Sequence, residues 1–254
     1  MSFPPPPAGG WPWAKAYGDG WTMPDAIETY AVPAIVDEGA ALWPDRPALD
    51  HRGRTITYAD LKTLADGAAA AFQRAGIAKG DRVALLLPNT PAHPIAFFGA
   101  MKAGAVVVHL SPLDAPAVLA HKMRDSGAKL VVTTNVGALA QGAARLADAG
   151  LADRVIVFED EAFGAWPETG PMPEGLAVTR WSDFVLDAGT PSPVALSPGD
   201  LALLQYTGGT TGMPKAAMLT HGNLSAAVSS YSLWYEHWGL TRPEPEKVLV
   251  YLPL

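Results

Sequence analysis

The hydrophobic pattern first takes on a period after residue 25. Residues 30–43 read as a helix stopped by Pro44. The stretches 48–51 and 54–57, joined by Arg52-Gly53, predict a hairpin. Thr57 is placed to cap the next helix, with Asp60 three residues on in a capping-box position. Leu61, Leu64, Ala65, Ala68, Ala69 and Phe72 then fall on one helical face, and Gly76 closes the run. From there strands and helices alternate: strand 82–87, helix 91–103, strand 105–110, helix 116–126, strand 129–133, helix 138–149, strand 154–158. Gly104, Gly127 and Gly150 stand where the three helices stop. Short Val/Leu/Ile-rich strands separated by helices predict mostly parallel β-sheet flanked by helices, an α/β fold.

The rhythm breaks over residues 159–200, which are rich in Pro and Gly and show one short helical stretch, 182–187. The acidic trio Glu159, Asp160 and Glu161 reads as a solvated strand end rather than a cation site. Residues 1–25 have no period; Trp11, Trp13, Tyr17 and Trp21 are too apolar for a solvated tail and are expected to pack on the body or on a second subunit. These shifts divide the chain into an arm (1–25), an α/β subdomain (26–160), a Pro/Gly-rich connection (161–200) and the start of a second subdomain (201–254). In the last part, an apolar run at 201–204 reads as a buried strand leading into Gln205 and Tyr206. A helix starts near Asn223, its aromatic residues Tyr231, Trp234, Tyr235 and Trp238 read as a core stripe, and 247–254 reads as a strand.

Composition narrows the function. The 254 residues carry 25 acidic and 18 basic side chains, a net charge of −7, which argues against a nucleic-acid partner. The absence of cysteine removes disulfides, thiol nucleophiles and thiolate zinc sites. No apolar run approaches the ~20 residues of a membrane span, and the N-terminus lacks the apolar core of a signal peptide. The expected setting is cytoplasmic. None of the six histidines is spaced as a metal pair. His51, His93, His109, His121 and His237 read as packed or surface side chains, and His221 as a local hydrogen-bonding group beside the segment described next.

Residues 206–216, Tyr206, Thr207, Gly208, Gly209, Thr210, Thr211, Gly212, Met213, Pro214, Lys215 and Ala216, hold the candidate chemistry. Three glycines let a backbone turn tightly and bring N–H groups close to a ligand. Three threonines add hydroxyls and Lys215 adds a positive charge. Convergent N–H donors, hydroxyls and a cation are the groups that hold a polyphosphate. The spacing is not that of the ordinary P-loop: Lys215 falls three residues after Gly212, and Ala216 stands where that motif needs Ser or Thr. No helix opens directly behind the loop. Taken alone, the segment also reads as a Gly/Thr-rich surface turn.

The longer string YTGGTTGMPKAAMLTHGNL (206–224) resembles the phosphate-binding signature of the adenylate-forming enzymes, and its opening is most like that of bacterial long-chain fatty-acid CoA ligases. Ala216 replaces the glycine usual in that family. RTITYADL (54–61), KGDRVALLLPN (79–89), AFFGAMKAGAVVVHLSPL (96–113), DSGAK (125–129) and the arm PWAKAYGDGW (12–21) carry the same resemblance in order. It implies ATP and Mg²⁺ at residues 206–216, with Thr210 reaching the metal through ATP, and a fatty acid and CoA as the other substrates. It also implies that the acyl pocket, a metal-binding Glu, a ribose-binding Asp and a catalytic lysine follow residue 254. Residues 1–254 alone are then expected to form no acyl-CoA. A homodimer and a peripheral contact with the inner membrane face are compatible with the resemblance. A related adenylating enzyme for another acid, or a non-catalytic nucleotide-binding or dimerisation module, are the alternatives.

Overall fold

Alternate positions along the central strands send their side chains into two separate cores. Val83, Leu85, Val107, Val132, Ile156 and Leu203 join one, while Ala84, Val106, Val108, Val131, Val155, Val157 and Leu204 join the other. A sheet with two buried faces needs a helical layer on each side. The computed structural model describes residues 12, 16, 26–164, 168–175, 177–207, 212–239 and 247–250, and in it that sandwich is formed.

Helix α1 (Ala34–Leu42) precedes an antiparallel hairpin, β1 (Pro47–His51) and β2 (Arg54–Thr57). Helix α2 (Tyr58–Arg74) starts on the expected capping box: the Thr57 hydroxyl accepts from the Asp60 N–H and the Asp60 carboxylate accepts from the Thr57 N–H. Then follow β3 (Arg82–Leu85), α3 (Ala92–Lys102), β4 (Val106–His109), α4 (Pro116–Ser126), β5 (Leu130–Thr134), α5 (Leu139–Asp148), β6 (Arg154–Phe158), β7 (Val178–Arg180), α6 (Trp181–Val185), β8 (Leu201–Thr207), β9 (Lys215–Thr220) and α7 (His221–His237). Helices α2, α3 and α6 pack on the first core, α4 and α5 on the second. The sheet order is β7-β6-β5-β3-β4-β8-β9, parallel except for the antiparallel β8–β9 pair.

Strands from both sides of the 161–200 connection therefore share one sheet, with β8 beside β4. The connection itself is pinned to the body. Gln73 exchanges two hydrogen bonds with Ser192, Arg74 donates to the carbonyls of Phe184 and Leu186, and Lys79 bridges to Asp200 at 2.8 Å. It also supplies β7, which the sequence pattern did not predict.

Four further expectations are corrected. The first helix begins at Ala34, not residue 30, because Pro33 disfavours helical backbone at the residue before it. The acidic trio is not a solvated strand end: Asp160 is fully buried, paired with Arg52 at 2.5 Å, and Glu159 and Glu161 hold Ser182 and Asn135. Tyr231, Trp234, Tyr235 and Trp238 are exposed rather than a core stripe, because no described element covers α7 beyond its first turns. Residues 247–250 are exposed and form no strand; among the described residues none pairs with their backbone. Residues 251–254, and all of the arm except the exposed Pro12 and Ala16, lie outside the described residues.

Candidate active site

Strand β8 is buried through Ala202, Leu203, Leu204 and Tyr206, and it runs parallel to β4 and β3. Its end at Thr207 therefore opens at the carboxyl edge of the sheet, where open α/β sheets place their ligands. The chain returns as β9, antiparallel, with Thr207 paired to Lys215 and Tyr206 to Ala216. The ends of the segment that joins β8 to β9 are thus fixed by sheet pairing, at Thr207 and Lys215. Gly208, Gly209, Thr210 and Thr211 lie outside the described residues. Gly212 sits at φ +109°, a left-handed conformation that side chains resist, with open space around its α-carbon. Gly212, Met213 and Lys215 are exposed, and Pro214 is half-buried.

Lys215 is exposed and has no ion-pair partner among the described residues. Tyr206 is different: it is 7% exposed and its ring faces the second core. Its hydroxyl donates to Asp125 Oδ2 at 2.7 Å, and burial together with that carboxylate pushes its pKa up, so it stays protonated. Lys122 Nζ lies 5.4 Å from the Tyr206 ring centroid and is committed to Asp114 at 2.5 Å. On the other root, His121 Nε2 lies 2.9 Å from the Pro214 carbonyl.

The remaining signature residues serve the frame. Thr220 caps α7 with Asn223 in a second capping box. His221 is buried, and its Nδ1 accepts from the Val32 N–H at 3.2 Å, with burial holding its pKa down. Its hydrogen bond therefore reaches across the chain rather than to the loop. Gly222 lies against the Pro198 carbonyl, where an added Cβ would come within 2.9 Å.

Sequence reasoning missed His121, Lys122, Asp125 and Asp114. All four lie some 80 to 100 residues before the loop in sequence, and only the placement of β8 beside β4 brings the following helix α4 beneath it. No local pattern signals that neighbourhood. Among the described residues no group of three or more His, Asp or Glu side chains is arranged to hold a metal ion, and Thr210 lies outside them.

The chain is similar to a long-chain-fatty-acid–CoA ligase of Bacillus subtilis, 29% identical over 95% of this chain and 45% of that protein. One from Escherichia coli is 32% identical over 91% and 44%, and a 4-coumarate–CoA ligase of rice (Oryza sativa) is 36% identical over 75% and 34%. This chain thus spans less than half the length of each of these relatives. Among solved structures, Mycobacterium smegmatis MbtA superimposes with a TM-score of 0.63 at 32% identity, over 87% of this chain and 38% of that one. VinN gives 0.65 at 25% identity, over 82% and 50%. The AMP-binding enzyme family matches residues 36–254, from the first helix through the hairpin to the last residue. A match of that extent, carried on the sheet that presents the hairpin, makes the chain a member of the AMP-binding enzyme family.

Proposed function

We propose that the protein carrying this chain activates a long-chain fatty carboxylate with ATP and transfers the acyl group to CoA. The observation that carries this is the β8–β9 hairpin, which opens at the carboxyl edge of the sheet with Lys215 opposite Thr207 and without an ion-pair partner among the described residues. A carboxylate is a poor electrophile because its leaving group would be oxide. Attack of its oxygen on the α-phosphorus of ATP forms the acyl–phosphate bond, breaks the α–β bridge and releases pyrophosphate. The CoA sulfur then attacks the acyl carbon, AMP departs and the thiol proton passes to solvent.

Negative charge grows on the departing pyrophosphate, so preorganised donors and a cation at that point lower the barrier. In this reading Gly208, Gly209 and Gly212 give backbone N–H groups, Thr207, Thr210 and Thr211 give hydroxyls, and Lys215 gives charge. Mg²⁺ arrives with the nucleotide. The reaction belongs to the cytoplasm, where ATP and CoA are supplied; no helix among the described residues is long and apolar enough to cross a membrane.

The fatty-acid assignment draws on the two fatty-acid ligases, whose similarity covers nearly the whole chain. A second reading, an aromatic acid in place of the fatty acid, draws on the rice ligase, more identical over a shorter stretch. Pyrophosphate release by the full-length protein with ATP, CoA and either hexadecanoate or 4-coumarate separates them. Faster release with hexadecanoate is expected. Preference for 4-coumarate would move the assignment to aryl acids, and release with neither acid would contradict both.

A further inference from the structure

Both roots of the hairpin are tied to one helix. At the exit, the carbonyl of Pro214 accepts a hydrogen bond from His121 Nε2 at 2.9 Å. Proline has no N–H, so this carbonyl is the only backbone hydrogen-bonding group that residue 214 offers. The peptide between Pro214 and Lys215 is planar, so holding its carbonyl fixes the orientation of the whole unit and the direction in which the chain enters Lys215. At the entrance, the Tyr206 hydroxyl donates to Asp125 Oδ2 at 2.7 Å and lies 3.3 Å from the Lys122 carbonyl. The rings of His121 and Tyr206 meet edge to face at 6.5 Å between centroids. His121, Lys122 and Asp125 all sit on α4, from its middle to its last turn, and α4 follows β4, the strand against which β8 is paired. The helix is itself anchored: Lys122 is buried and paired with Asp114, which also accepts from the Ser111 N–H at 3.1 Å.

We propose that His121 is a positioning residue for the loop. It holds the peptide preceding Lys215, and the Tyr206–Asp125 bond is the matching clamp at the other root. This rests on reading the hairpin tip as the phosphate site. Donors preorganised around an anion bind it better than donors that must first be collected. The tip has no helix behind it to order it, since β9 follows directly. Helix α4 supplies that order from the side. His121 does not touch the nucleotide in this arrangement; it acts through the Pro214–Lys215 peptide.

The test measures ATP·Mg²⁺ affinity by calorimetry, with amide hydrogen exchange over residues 206–217, in the full-length protein. Four variants are compared with the natural protein: His121→Leu, His121→Gln, Tyr206→Phe and Lys215→Ala. Losing one clamp hydrogen bond should weaken ATP·Mg²⁺ binding roughly 3- to 10-fold. Exchange should quicken at the hairpin but not in β5 or β6, and the melting temperature should hold. His121→Gln, whose amide can donate to the same carbonyl, should restore most of the affinity. Natural affinity in His121→Leu alongside weakened Lys215→Ala would overturn the clamp and leave the phosphate site standing. His121→Gln no better than His121→Leu would assign the residue to packing and also overturn it. Unchanged binding in Lys215→Ala would overturn the phosphate site and the clamp together. Should His121→Leu fail to fold, Tyr206→Phe decides: it keeps the ring, and natural affinity and exchange in that variant would overturn the clamp.

Discussion

His93, on α3, is 6% exposed, with its ring 5.1 Å from that of His109 and stacked on Phe97 at 6.0 Å. Burial, reinforced by the neighbouring His109, pushes its pKa down from 6.5 to about 3. His109 is also held down, by burial first; Gln205, hydrogen-bonded at 2.8 Å, opposes this and Lys122 adds to it. A depressed histidine pKa means that the unfolded chain takes up a proton that the folded chain refuses. His93 therefore leaves stability intact above its unfolded value and lowers it as pH falls through 6.5 toward 3. At about pH 5 the loss from this one side chain is on the order of 2 kcal/mol. Asp200, held at about 2 by Lys79 and Ser197, is lost only in the more acidic carboxylate range and does not confuse the comparison. Urea midpoints at about pH 7.5 and about pH 5 should fall farther in the natural protein than in His93→Phe. Parallel falls would show that His93 is not the group responsible.

Helices α2 and α3 meet through small residues. A Cβ added at Gly99 would come 2.4 Å from the Ala68 Cβ and 3.2 Å from the Ala65 carbonyl. Gly99→Ala gains helix propensity of roughly 1 kcal/mol but forces the helices apart, and overpacking of this kind costs about 1–3 kcal/mol. Net destabilisation is expected, with partial recovery on adding Ala68→Gly; a more stable single variant would mean the helices separate freely. The elements themselves were largely legible because their signals are local. Thr57 and Asp60 mark a helix start by side-chain chemistry, and Gly127 ends α4 at φ +65° where glycine is favoured. What local pattern could not supply were elements defined by their partners. Val178–Arg180 is a strand because β6 lies beside it, and Lys215–Thr220 because β8 does. Residues 247–250 have a strand-like composition and no described partner, and they form none.

The order β7-β6-β5-β3-β4-β8-β9 is the feature least available to sequence reasoning, and the candidate site depends on it. Alternation of strands and helices predicts a parallel sheet, but not that β8 returns past a 42-residue interval after β6 to lie beside β4. That return buries Tyr206 against α4 and sets Thr207 opposite Lys215 at the carboxyl edge. The glycine, threonine and lysine residues of the loop were visible in sequence as a cluster; its supporting helix was not. The role proposed for this hairpin is stabilisation of a departing pyrophosphate. Its most direct test is the rate of ATP-dependent pyrophosphate release in full-length Lys215→Ala, measured beside its melting temperature. Lys215 is exposed and unpaired among the described residues, so folding should be untouched within about 0.5 kcal/mol. The rate should fall by roughly 10²- to 10³-fold if its charge acts on the transition state; release at the natural rate from a folded Lys215→Ala protein would contradict the account.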